Sequence, residues 1–233
     1  MSRSLPMNEP SNSTFRLATS VFAMVLGVQC VWVLLAEFSR PGIYRLPTDA
    51  ATADAARNQR SGARWAATFG GIRGDLWAES AFTYADLMWS NAASGVDLAR
   101  VRSSLTHALS TAPYQSSIWL LLAGLASRYQ LPGIDRKEAV KMSYYTGPSE
   151  LELMPLRLWI AVHSEAFSDI ELRDSISREV RLLFTHQQKS AIVAAYNAAS
   201  SVGRQFIEQT IREIDPSAAE SLRASAQRSY FQD

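Results

Sequence analysis

Cysteine and histidine are scarce in this sequence. Cys30 is the one cysteine, and the three histidines, His107, His163 and His186, are far apart along the chain. A single cysteine excludes an intramolecular disulfide, and no histidine has a second ligand at the spacing of a metal site. The formal net charge is only +1, so the chain as a whole lacks the positive field of a nucleic-acid-binding protein. We therefore expect no metal site and no nucleic-acid partner.

Sequence signatures of catalysis and of cofactor binding are also missing. The chain contains no phosphate-binding Walker loop, no dinucleotide fingerprint that follows a strand and no nucleophile elbow. One enzymatic alternative stays open, because Glu79-Ser80 resembles the Glu-Ser dipeptide of the lytic transglycosylases, which cleave glycan with a single acid. The Gly-Leu-Met-Gln element of that family is absent. We therefore predict a protein that is not an enzyme and carries no cofactor.

The longest apolar run lies near the N-terminus. Residues 17–36 read LATSVFAMVLGVQCVWVLLA and carry no charge; a helix of this length spans about 30 Å, the thickness of a bilayer core. The run is too long for a signal peptide, and no small-residue cleavage site ends it. The sequence predicts a short tail (residues 1–16) and a transmembrane anchor (17–38). The anchor residues that we single out are Leu17, Val21, Phe22, Val25, Leu26, Val31, Trp32 and Leu35.

Charges on the two sides of the anchor are nearly balanced. Arg3 and Arg16 precede it, and Arg40 and Arg45 follow it. The usual orientation of such an anchor places the tail inside and the domain outside. Arginine greatly outnumbers lysine and alanine is abundant, a bias typical of GC-rich bacterial genomes. We therefore predict a single-pass protein of the bacterial inner membrane with a periplasmic C-terminal domain.

Residues 39–74 lack a sustained apolar stripe and contain prolines and several glycines. We predict a flexible linker here. Arg57, Arg60, Arg64 and Arg73 make it locally basic, which favours either a solvated tether or contact with anionic lipid headgroups.

From residue 75 onwards, signals for helices follow one another. Apolar residues recur at helical spacing, and no segment alternates over the length of a strand. Four sequences have the form of a capping box, in which a first side chain and a glutamate three positions later satisfy orphan backbone groups. They are Asp135/Glu138, Ser149/Glu152, Ser168/Glu171 and Ser217/Glu220. The sequence therefore predicts an all-α domain over residues 75–233.

A weak internal period divides this domain. Thr111 and Pro113 align with Thr146 and Pro148, 35 residues later, and Pro216 follows Pro148 by 68. A period near 34 is typical of stacked helical hairpins. It predicts four hairpins, over residues 75–113, 114–148, 149–185 and 186–216, followed by a capping helix.

These features resemble the tetratricopeptide repeat family. The period, the early Trp119, the alanines at close-packing positions and the proline that ends a second helix carry the resemblance over about two thirds of the chain. The glycine and tyrosine that follow the tryptophan in the family are not in register, and Pro155 falls early in a first helix. The resemblance implies a superhelix with a groove for protein partners.

The segment at residues 141–159, KMSYYTGPSELELMPLRLW, is the most distinctive candidate surface. Aromatic and arginine side chains are typical interface anchors, so we predict that Tyr144, Tyr145, Arg157 and Trp159 bind a partner. The same segment is similar to uncharacterised alphaproteobacterial proteins associated with cell-surface polysaccharide machinery.

The sequence thus predicts a membrane-anchored scaffold or adaptor for protein partners, acting in the assembly of a cell-envelope complex. Two alternatives remain: a glycan-cleaving enzyme that uses Glu79, and a small structural subunit that is held in a membrane complex through its transmembrane helix.

Overall fold

The structure is a computed structural model that describes residues 12–91, 93–163 and 169–229. Every regular element in these ranges is a helix, which confirms the all-α prediction. A short 3-10 helix spans Ala85–Met88. The α-helices are α1 (Asn12–Phe38), α2 (Ala50–Arg57), α3 (Arg60–Gly70), α4 (Gly74–Phe82), α5 (Gly95–Thr111), α6 (Ser116–Arg128), α7 (Arg136–Thr146), α8 (Met154–His163), α9 (Ile170–Thr185), α10 (Lys189–Ala198), α11 (Ser201–Arg212) and α12 (Pro216–Ser229).

Helix α1 is the apolar helix that the sequence predicts. By length and composition Ser13–Phe38 could cross a membrane, and only 6% of its most apolar window is buried, unlike a core helix. The helix begins at Asn12, inside the predicted tail, of which residues 1–11 lie outside the described ranges. The side chains singled out for the anchor are all exposed: Leu17, Val21, Phe22, Val25, Leu26, Val31, Trp32 and Leu35.

Residues 39–74 differ from the prediction of a flexible linker. They contain α2 and α3 and lead directly into α4. Ala53 of α2 and Ala63 and Ala67 of α3 are fully buried, so both helices pack against the rest of the chain. Their contact faces consist of alanine, which allows helices to approach closely but leaves no stripe of large apolar residues in the sequence. The prediction of an unstructured linker here is wrong for this reason.

Four helical hairpins follow, as the sequence period predicts. Helix α4 pairs with α5, α6 with α7, α8 with α9 and α10 with α11, and α12 closes the array. The first helices of successive hairpins contact one another from α4 through α6, α8 and α10 to α12. Helix α9 ends at Thr185, the predicted boundary of the third hairpin. The hairpins thus stack in one direction, so that each buries the apolar face of its neighbour.

Three of the four capping boxes have a described first residue, and the helix starts agree with one of these three. Asp135 caps α7 by accepting from the backbone N–H groups of Lys137 and Glu138. Ser149 caps nothing, because α8 begins only at Met154. Ser168 lies outside the described residues. The fourth box, Ser217/Glu220, misplaces the cap of α12 by two residues. The cap is Asp215, which accepts from the backbone N–H groups of Ser217 and Ala218.

Pro155 departs from the repeat pattern without disturbing the fold. It is the second residue of α8, where a proline costs no intrahelical hydrogen bond because the first N–H groups of a helix have no partner. The third hairpin therefore begins with the non-helical residues 149–153 before α8. These residues form one wall of a cleft that also includes the start of α6.

Candidate functional site

A cleft of about 850 Å³ opens where three hairpins meet the non-helical segment at residues 40–49. Its walls come from the start of α6, from the turn before α8 and from the residue before α10. The floor is partly apolar, with Leu46 and Leu153 nearly buried, and the rim is polar. The lining residues are Tyr44, Arg45, Leu46, Thr48, Gln115, Ser116, Ser117, Ser149, Glu150, Leu151, Glu152, Leu153, Pro155 and Gln188.

Local packing fixes the start of α6 at this cleft. The indole N–H of Trp119 donates to the carbonyl of Pro113 at 2.8 Å, which closes the turn between the first two hairpins. A Cβ atom on Gly147 would lie 2.6 Å from the Cβ of Ser116, so the end of α7 and the start of α6 approach each other only because residue 147 is glycine. Gly147, at the end of α7, therefore shapes this part of the cleft.

Two neighbouring side chains of the non-helical segment at residues 40–49 line the cleft and have different surroundings. Leu46 is 3% exposed and belongs to the main hydrophobic core. Arg45 points outward and forms an ion pair with Glu152 across the cleft. Both side chains of this pair are largely exposed, so the pair adds little to stability.

Two of the four predicted partner-binding residues are in the core and not at a surface. Arg157 is 0% exposed and Tyr144 is 4% exposed. The Arg157 guanidinium lies over the Tyr144 ring, 4.4 Å from its centroid. This burial contradicts the prediction that these two side chains meet a partner. The spacing of charged and aromatic residues does not reveal that α8 lies between neighbouring helices.

The polar groups around Arg157 explain how a cation is accommodated in the core. Its Nε donates to Glu179 at 2.8 Å, and its Nη1 donates to the carbonyls of Ser143 and Gly147 at 3.1 and 2.8 Å. Burial raises the pKa of Glu179 to about 7, and Arg157 opposes that rise. Burial likewise raises the pKa of Tyr144. The cluster ties α7, α8 and α9 together.

The other two predicted residues lie outside this cluster. Tyr145 is 56% exposed, and its hydroxyl donates to Glu171 at 2.6 Å, while Lys141 pairs with the same carboxylate at 2.8 Å. Trp159 is half-buried and packs its ring against His163, with ring centroids 4.6 Å apart. Partner binding by Tyr145 and Trp159 stays a prediction. The structure does not bring all four residues into one surface.

Glu79, the candidate acid, is nearly buried and already paired. It is 2% exposed, and the Arg40 Nε donates to its Oε1 at 2.7 Å. Burial raises the pKa of Glu79, and Arg40 opposes this rise. Arg40 also pairs with Glu37 at the end of α1 and with Asp75 in α4. The carboxylate therefore joins the N-terminal helix to the first hairpin.

The other two histidines and Asp169 have structural surroundings. His107 stacks on Trp77 with ring centroids 4.4 Å apart, and His186 follows the end of α9. Asp169 caps α9. No group of three or more metal-ligating side chains occurs within the described part of the chain.

Sequence reasoning missed the cleft and a second, basic cleft beside α3. Part of the signal is in the sequence: Pro113 lies in the turn before α6, Gly147 and Pro148 lie before α8, and arginines recur along residues 57–73. Neither pattern predicts which helix ends lie next to each other in the fold. No family model, no curated protein and no solved structure matches the chain.

Proposed function

We propose that this protein is a non-enzymatic, membrane-anchored scaffold or adaptor that binds protein partners. The observation that carries the proposal is the cleft at residues 44–48, 115–117, 149–155 and 188, because it joins three successive hairpins and the segment after α1. A single partner segment in this cleft would contact all of them at once. Stacked hairpins commonly offer such composite surfaces.

The chemistry of the cleft supports a peptide more than a small polar ligand. Leu151 and Pro155 offer apolar contact, while Gln115, Ser117 and Gln188 offer side-chain donors and acceptors for a partner's backbone. The resemblance to tetratricopeptide repeats implies the same type of partner. The binding surface that we propose is thus the cleft, with Tyr145 and Trp159 as further contacts.

We also propose the cellular setting. The exposed apolar surface of α1 supports an anchor in the bacterial inner membrane, with the hairpin domain on the periplasmic side. The resemblance at residues 141–159 supports a role in assembling a cell-envelope complex for surface polysaccharide. The first of these proposals gives the compartment in which the cleft would meet its partner, and the second gives the kind of complex.

Site-specific photo-crosslinking in cells tests the cleft. A photo-reactive residue replaces Glu152, at the cleft, or Glu138, an exposed glutamate in the first turn of α7 and outside the cleft. We expect one discrete cross-linked band from position 152 and none from position 138. Equal bands from both positions, or no band from position 152, would contradict the proposal.

A third position separates the scaffold from the structural-subunit alternative. Val25 lies in the middle of α1 and is exposed. A band from position 25 without one from position 152 would mean that the partner is held through the anchor. Bands from both positions would support a partner that contacts the anchor and the cleft.

The enzymatic alternative has one observation in its favour, because burial raises the pKa of Glu79 as a general acid requires. The Arg40 ion pair and the near-complete burial of the carboxylate oppose it. We expect the full chain in mild detergent to release no soluble fragments from peptidoglycan. Release that Glu79→Gln abolishes would overturn the proposal of a scaffold.

A further inference from the structure

Helix α3 runs back alongside the end of α1. The position of α1 in a bilayer would therefore also fix the position of α3. A Cβ on Gly62 would lie 3.1 Å from the Ser39 carbonyl, near the end of α1. One turn further along α3, Ala66 and Ala67 pack with Ala36. At the end of α3, the Trp32 indole donates to the Phe69 carbonyl at 2.8 Å. The C-terminal end of α3 therefore points back toward the apolar part of α1.

This arrangement brings the end of α3 to the level of the anchor itself. Trp32 belongs to the uncharged run of residues 17–36, so Phe69 lies beside that run and not beyond it. The turn that follows α3 is held in place, because the Trp77 indole donates to the Gly71 carbonyl at 2.7 Å. An anchor that spans a bilayer would therefore bring this turn to the bilayer surface.

Two large apolar side chains, one in α3 and one in the following turn, are exposed, and Phe69 between them is half-buried. Trp65 is 59% exposed and stacks on Phe69 with ring centroids 5.6 Å apart, and Ile72 in the turn is 88% exposed. In water, such a group would be an exposed apolar patch. At the boundary between headgroups and acyl chains, tryptophan and other amphipathic rings are favoured.

A basic cleft of about 540 Å³ opens beside Trp65, between α3 and α5. Arg60 in its wall pairs with Asp86 at 2.6 Å. Arg64 and Arg100 also line the cleft and are exposed, and neither has a carboxylate within ion-pair distance in the described ranges. Two unneutralised guanidinium groups beside a tryptophan ring suit a phosphodiester.

Nearby acidic groups do not cancel this charge. Asp86 and Asp97 both pair with Arg60 of the cleft wall, at 2.6 and 3.6 Å. Glu37 and Asp75 pair with Arg73 and Arg40. Arg64 and Arg100 are therefore the arginines of this cleft that have no ion pair in the described ranges.

We propose that α3 and the turn at residues 70–73 form a second membrane contact. Trp65, Phe69 and Ile72 enter the interface of the leaflet from which α1 emerges, and Arg64 and Arg100 bind the phosphate of an anionic phospholipid there. This inference rests on the proposed anchoring by α1. The second contact goes beyond that anchoring, because an anchor formed by α1 requires neither α3 nor the basic cleft.

Spin-label depth measurements on the full chain in lipid nanodiscs test the insertion. Cys30 is the single cysteine, so a Cys30→Ser background accepts one label at Ile72→Cys, Val25→Cys or Val202→Cys. Collision of the label with oxygen reports lipid, and collision with a water-soluble nickel chelate reports water. We expect lipid signatures at positions 25 and 72 and a water signature at position 202, in the first turn of α11.

The three positions separate the two proposals. Lipid at position 25 with water at position 72 would overturn the second contact and leave the anchor intact. Water at position 25 would overturn the anchor itself, and the second contact with it.

Lipid selectivity tests the arginines. Nanodiscs contain phosphatidylcholine with a minor share of spin-labelled phosphatidylglycerol or of spin-labelled phosphatidylcholine, and the immobilised fraction of each is compared. We expect Arg64→Gln and Arg100→Gln each to lower the preference for phosphatidylglycerol by about fivefold. Arg178→Gln, an exposed arginine of α9, should leave it unchanged. An equal effect of all three variants, or none, would contradict a specific site.

Discussion

Replacement of Arg157 by methionine should destabilise the domain strongly. Methionine keeps most of the length of the side chain but removes the charge. The variant loses the ion pair with Glu179 and both hydrogen bonds to backbone carbonyls. It also leaves the Glu179 carboxylate, which is 2% exposed, without a counter-charge in the core. The loss is therefore larger than that of a surface ion pair.

The size of the effect follows from the burial of both partners. Removing one partner of a buried ion pair costs about 3–5 kcal/mol. For a chain of this size that loss lowers Tm by roughly 6–20 °C. Thermal unfolding of the full chain in mild detergent, followed by circular dichroism, measures the shift. Arg178→Met is the matched control, because Arg178 is exposed one position before Glu179, and it should shift Tm by less than about 2 °C.

The cost of Arg157→Met should also depend on pH. Burial raises the pKa of Glu179 to about 7, above the ordinary 4.5, so the folded protein holds this proton more tightly than the unfolded chain does. Stability from this group is therefore complete below the unfolded pKa and is lost as pH rises through the folded pKa. Without Arg157 the folded pKa rises further and the loss continues above pH 7. The variant should be closest to the wild type in acid and furthest from it in mild alkali.

Two results would refute this reasoning. One is a Tm for Arg157→Met that equals that of the Arg178→Met control. The other is the same destabilisation at about pH 5 and about pH 8, where the protonation of Glu179 should differ. A double variant, Arg157→Met with Glu179→Leu, should recover much of the lost stability, because an apolar pair needs no buried counter-charge.

Two further predictions concern packing and helix starts. Gly124→Ala places a Cβ 2.3 Å from the buried Met88 sulfur, so it should cost about 1–3 kcal/mol, whereas Gly95→Ala, with nothing within 4 Å, should change Tm little in the same melts. Asp215→Ala should cost about 1 kcal/mol by removing the cap of α12. Ser217→Ala should cost less, and an equal loss from both would contradict the assigned cap.

The hairpin domain is predictable from the sequence because its helices use large apolar residues. In α9, Leu172, Ile176, Val180 and Leu183 recur at helical spacing and are all buried. Their period alone predicts both the helix and its inner face. The same method fails at residues 39–74, where the buried face of α3 is Ala63, Ala66 and Ala67. Alanine has a weak apolar signal, although its small size is what allows α3 to lie against α1.

The candidate site is predictable only as a region. Residues 141–159 do contribute to the cleft, through the turn before α8. Residue type alone favours Arg157 as a surface anchor, and the structure buries it. The distinction depends on Glu179, which is 22 residues away in sequence. A pairing over that distance follows from how α8 and α9 stack, which no local pattern encodes.

The packing of residues 39–74 changes how a scaffold of this design would operate. A flexible tether of that length would let the domain move over about 30–35 Å from the membrane. In the structure the segment is folded instead: α3 lies along α1, and Arg40 joins Glu37 of α1 to Glu79 of α4. The cleft that we propose for partners therefore stands at a defined position relative to the anchor. If α1 is the anchor and the cleft binds a partner, that partner meets the cleft in one fixed orientation relative to α1.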